Sequence, residues 1–114
     1  MAGQRMRRVN EAVREVLSEA LAEGLKDPRI GFVTVTSVDT SADLRLAKVY
    51  VSVLGGEEET EETLAGLECS RGFLQALIAR QLTLKRTPQL TFVRDESIDY
   101  GFHIDKLLKD IADE

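Results

Sequence analysis

The sequence predicts an α+β domain with three strands in one sheet and helices over one of its faces. Three observations lead there. Val9, Ala12, Val13, Val16, Leu17 and Ala20 recur at helical spacing and make one apolar face. Leu25-Lys26-Asp27-Pro28-Arg29-Ile30, followed by Gly31-Phe32-Val33-Thr34-Val35-Thr36, passes from helix to strand through a proline. Proline cannot continue a helix, and it biases the residue before it toward extended backbone. Further on, Ala47, Val49, Val51 and Val53 alternate with Lys48, Tyr50 and Ser52, the period of a half-buried strand.

Taken in order, the first helix is expected over residues 4–25, with Arg7, Glu11, Arg14, Ser18 and Glu19 mostly on its outer side. Its early arginines sit at the end where the helix dipole disfavours cations by roughly a few tenths of a kcal/mol. They are either ordinary solvated charge or a sign of an anionic partner at this end. The first strand sets Val33 and Val35 against Thr34 and Thr36, Thr40-Ser41-Ala42-Asp43 turns, the second strand runs over 44–53, and Gly55-Gly56 closes the unit. One side of this sheet is apolar and needs helices over it, while the other is wet.

An acidic turn, Glu57 to Glu62, suits the positive end of a helix dipole and opens the next helix. Leu64, Leu67, Leu74, Leu77, Ile78 and Leu82 supply the apolar stripe of two helices. Gly72 lies within that stripe, and glycine inside a helix costs roughly 1 kcal/mol relative to alanine. The expectation is therefore a break there, with one helix to about Arg71, another over 72–84, and Gly72 at a close approach or a departure from helical geometry. Lys85-Arg86-Thr87-Pro88 turns into a third strand over 90–94. Ser97 caps a last amphipathic helix carrying Ile104, Leu107, Leu108 and Ile111. The order is α-β-β-α-α-β-α in a single domain, residues 1–114.

Charge is segregated beneath a net value of −5. Arg5, Arg7, Arg8 and Arg14 face one acid, Glu11, in residues 1–14. Residues 57–70 hold six acids and no base, whereas 71–94 hold five bases (Arg71, Arg80, Lys85, Arg86, Arg94) and no acid. Binding responds to the local field, so this acid-free segment favours a nucleic-acid partner despite the acidic total. The single Cys69 excludes an internal disulfide and a cysteine-rich metal site. No apolar run approaches the roughly 20 residues that span a bilayer. The arginine-rich start lacks a signal-peptide core, so a cytoplasmic location is expected.

Catalysis finds little support. Acid–base or nucleophilic chemistry requires a reactive group held by a partner. Here one His103 reads as a surface or boundary residue and Cys69 as a small packing residue at a helix junction. Gly55-Gly56 lacks the lysine and hydroxyl of a phosphate-binding loop. No enzyme activity, cofactor or metal is expected. A base-stacking sheet of the RNA-recognition type needs exposed aromatics, and the wet face offers Tyr50 alone.

Type II KH domains share the α-β-β-α-α-β order and bind RNA through a helix–loop–helix with a GxxG loop. This chain has the helix pair but carries Ser70-Arg71-Gly72 at the break. Arg8-Val9, Leu25 to Ile30, Val33 to Thr36, Asp43-Leu44, Ala47 to Gly55, Gly72-Phe73, Thr87 to Phe92 and Asp95-Glu96-Ser97 stand in an order and spacing that resemble the ribosome-binding factor A family, bacterial small-subunit assembly factors.

The resemblance implies a KH-like (type II) fold in which an Ala-x-Gly kink replaces the GxxG loop, with Ser70, Arg71 and Gly72 here as the kink motif. It implies binding to the maturing 30S subunit and its 16S rRNA, support of rRNA processing, a role in growth in the cold, and release before translation. Gln75 and Thr83 stand where relatives often carry arginine. The expected RNA-binding patch is Arg71, Arg80, Lys85 and Arg86, extended by Arg5, Arg7 and Arg8, in a chain that is monomeric when free. A generic single-stranded-RNA module and an RNA-independent protein adaptor are the competing readings.

Overall fold

The structure is a computed structural model and describes residues 2–96. Its elements are α1 (Ala2–Glu23), β1 (Val33–Thr40), β2 (Leu46–Val53), α2 (Glu57–Cys69), α3 (Arg71–Gln81) and β3 (Gln89–Arg94). The expected final helix, with Ser97 and His103, lies outside the described residues. The strands form one sheet in the order β1-β2-β3. β1 pairs antiparallel with β2, and β3 lies parallel to β2 after the α2–α3 crossover. This is the α+β, KH-like arrangement expected, with its helices on one face.

The core forms where the apolar side of each element meets the others. Val13 and Leu17 of α1, Val49 and Val51 of β2, Leu74 and Ile78 of α3, and Leu90 of β3 are all essentially sealed from water. The opposite sheet face carries exposed Thr34, Lys48 and Thr91 with half-buried Tyr50.

Four of the boundaries that differ from the sequence expectation have a local reason. α1 stops at Glu23, ahead of the Asp27-Pro28 turn, because Gly24 adopts φ +92° and its N–H returns to the Ala20 and Leu21 carbonyls at 3.2 Å. Left-handed glycine just past the last turn is a common helix terminator. β1 runs on to Thr40 because a bulge at Thr36 sets two residues against Tyr50. The extra residue shifts the alternation by one, which brings Val38 and Thr40 onto the core side. β2 begins at Leu46 because Leu44 holds φ 60°, outside strand geometry. The preceding loop is closed by the Ser41 hydroxyl, which accepts from the Arg45 and Leu46 N–H groups at 3.2 and 3.1 Å.

The fourth difference corrects the kink. The helix pair breaks at Ser70 (φ −91°, ψ 0°), one residue before Arg71, and Gly72 lies inside α3 with open space where a Cβ would stand. The close approach expected of Gly72 belongs to Gly66 instead. A Cβ on Gly66 would meet Ile30 Cγ1 at 2.6 Å. Without one, α2 receives the Asp27–Ile30 turn directly. Thr63 of α2 tightens the contact: its hydroxyl accepts from the Gly31 N–H at 3.3 Å and donates to the Arg29 carbonyl at 3.4 Å.

Candidate nucleic-acid interface

Arg5 and Arg8 are three residues apart on α1 and therefore share a face, whereas Arg7 is turned away from both. The α3–β3 connection carries Lys85 and Arg86, and it is extended because Leu82 leaves the helix with φ −114° and ψ 141°. The β1–β2 loop supplies a third wall with Ala42, Asp43 and Leu44. Between these three segments runs a cleft of about 860 Å³ lined by Arg5, Arg8, Lys85 and Arg86 among others. All four basic side chains are exposed.

Asp43 is the one acid in that lining, and it is already engaged. Its carboxylate accepts from the Ser41 hydroxyl at 2.7 Å and the Arg45 N–H at 3.1 Å, and it lies 3.4 Å from the Arg45 Nε. The Ser41 hydrogen bond, aided by the Arg45 N–H, holds its pKa below the ordinary carboxylate value. The cleft thus presents four cations against one carboxylate that already has partners, the electrostatic form of a phosphate-backbone site.

The other basic residues of the expected patch go elsewhere. Arg80 is exposed in the last turn of α3, where a cation suits the dipole, outside the cleft lining. Arg7 borders a separate groove with Met6 and Asn10. Arg71 is half-exposed and tied inward: its guanidinium lies 3.1 Å from Glu68 and donates to the Leu90 carbonyl at 3.5 Å. Gln75 accepts from the Leu90 N–H at 3.0 Å and so fastens α3 to β3. Thr83 lines the cleft itself. Sequence reasoning missed the loop wall 42–44, because nothing in a polar turn signals which helix it will face.

A second groove, about 710 Å³, lies between the α1–β1 turn and the kink and is lined by Leu25, Pro28, Cys69, Ser70 and Phe73 among others. Cys69 is exposed there, which corrects its reading as a packing residue. Asp27 organises the turn. Its carboxylate accepts from the Arg29 N–H and Nε, both at 3.0 Å, and from Nη2 at 2.6 Å. Those bonds lower its pKa to about 2. Among the described residues no group of His, Cys, Asp or Glu is placed to hold a metal ion, and no helix is long and apolar enough to cross a membrane.

Residues 5–108 match the family model described as ribosome-binding factor A. The chain belongs to the ribosome-binding factor A family. A ribosome-binding factor A from Brevibacillus brevis is 49% identical over 110 residues, covering 96% of this chain and 91% of that one. Among solved structures, the Thermotoga maritima solution structure of a ribosome binding factor A aligns with TM-score 0.71 and 40% identity over 78% of this chain and 85% of its own. Coordinates of the Thermus thermophilus factor, fitted into a map of a 30S complex, align with TM-score 0.56 and 33% identity over 75% of this chain and 93% of theirs. The break between the two helices of the pair lies at Ser70.

Proposed function

We propose that this chain is a ribosome-binding factor that acts without catalysis on the immature 30S subunit. On this reading it contacts 16S rRNA, promotes its processing, and is needed for efficient growth in the cold. It works as a cytoplasmic monomer when free. The observation that carries the reading is the cleft where Arg5 and Arg8 of α1 converge with Lys85 and Arg86 of the α3–β3 connection. Phosphate contacts from these four give affinity, with Arg80 and Arg7 adding to the field, Arg71 holding the kink, and the shape of the subunit giving specificity. The relative fitted into a 30S complex supports the same partner.

The test is sedimentation of the tagged protein with purified small subunits at low and high salt. Co-sedimentation that weakens as salt rises, with far weaker binding to free oligonucleotides, is the expected result. Equal binding to oligonucleotides marks a generic RNA module, and salt-independent co-sedimentation marks a protein adaptor. A deletion strain is expected to accumulate precursor 16S rRNA and to grow poorly in the cold.

A further inference from the structure

The outer face of the sheet presents no row of aromatic rings, but the structure exposes one ring beside the kink. Phe73 of α3 is 58% exposed and, with Cys69 four residues before it, lines the groove of about 710 Å³ that faces the α1–β1 turn. Leu25 and Pro28 supply apolar surface from the turn itself. A single exposed phenylalanine is ordinary. One that shares a concave site of this size with further apolar side chains can enclose a flat ring.

Charge selects the ring. Asp27 is the one acid in the lining, and Arg29 occupies it with donors at 3.0, 3.0 and 2.6 Å. Glu68, next to Cys69 in the chain, is paired with Arg71 at 3.1 Å. Lys26 also lines the groove, is exposed, and enters no ion pair among the described residues. Apolar walls beside one uncompensated cation suit a flat ring that carries negative charge at one end, which is the form of a nucleotide. An apolar peptide gains nothing from Lys26, and a basic one is repelled by it. A base inside a duplex shows only its edges, so the nucleotide has to be unpaired.

We infer that this groove takes one unpaired RNA nucleotide, with its base stacked on Phe73 and its phosphate on Lys26. The inference rests on the RNA-binding reading above and adds a contact of another kind to it. Arg8 and Glu23 are fifteen residues apart on α1, about 22 Å. The cation cleft and the groove therefore stand at opposite ends of that helix. The cleft holds backbone by charge, while the groove holds a base by its face, which every base has. The two respond differently to salt.

The test uses the full chain and purified small subunits. Phe73→Leu is expected to weaken association about tenfold, the loss of one base–aromatic stack, with the slope against log salt unchanged. Phe73→Tyr keeps a stacking face and is expected to bind like wild type. Lys26→Gln is expected to lower the slope by about 0.7. Phe32→Leu alters a ring that is 82% exposed but lies outside this groove, and is expected to change nothing. In a second measurement, a short oligoadenylate is expected to shift the amides of 24–29 and 69–73, and an abasic strand of the same length is not. Wild-type association that Phe73→Leu leaves at full strength overturns the inference and leaves the ribosomal reading standing. No association in the wild type overturns the ribosomal reading, and the oligonucleotide shifts then decide the inference alone. Equal loss from Phe32→Leu, equal shifts from the abasic strand, or shifts from an uncharged apolar peptide and none from RNA each overturn the inference.

Discussion

The kink and the cleft use the same residue types for opposite ends. At the kink, Arg71 turns its guanidinium toward Glu68 and the Leu90 carbonyl, and Gln75 holds the Leu90 N–H. In the cleft, Arg5, Arg8, Lys85 and Arg86 face solvent together, and the one acid beside them is engaged by Ser41 and Arg45. A run of bases in the chain is therefore not yet a patch. Residues 71–94 look uniform in charge, but their first base braces the sheet and only Lys85 and Arg86 reach the cleft that two distant segments help build.

The largest effect that sharpens this contrast is on binding. Lys85→Glu with Arg86→Glu is expected to weaken 30S association and to reduce the slope of log affinity against log salt by about 1–2, since each lost phosphate contact is worth about 0.7 on single strands and 0.9 on duplex. Arg71→Gln is expected to leave that slope nearly unchanged and to lower thermal stability slightly, by under about 1 kcal/mol, because its ion pair is partly solvated. Equal slopes for the two variants would erase the distinction between brace and cleft.

Next comes the packing behind the kink. Gly66→Ala is expected to cost about 1–3 kcal/mol in denaturant unfolding, since the new methyl collides with Ile30. Gly72→Ala is expected to stabilise by up to about 1 kcal/mol, because α3 gains helix propensity in open space. The reverse ranking would return the close approach to Gly72.

The smallest effect is on pH. The folded Asp27 titrates near 2, below its unfolded value, so its contribution is present above about pH 4 and lost as the pH falls toward 2. The melting temperature of Asp27→Asn is expected to lie slightly below wild type at neutral pH and to converge with it near pH 2. A constant gap across that window would show that the turn does not depend on the ionised carboxylate.

Much of this was readable before the fold was known. The face of α1 through Val13 and Leu17 and the alternation through Val49 and Val51 are local periodicities, and both faces are buried as expected. The bulge was not readable. Val38 falls out of phase with Val35, so a strand with strict alternation has to end at Thr36, and only pairing with Tyr50 shows that it continues. Gly72 drew attention because it interrupts a stripe, while Gly66 lay unnoticed in a helix whose neighbour, Ile30, is 36 positions away in the chain.

By itself the sequence determined the element order, the sheet's buried face, the segregation of charge and, through the spacing of its motifs, the family. Those are properties of residues near one another along the chain, where propensity and period act. Tertiary structure decided which cations meet, which glycine is crowded and where the helix pair bends. Each of these depends on segments that become neighbours only after the core has closed, and no local pattern encodes a distance between them.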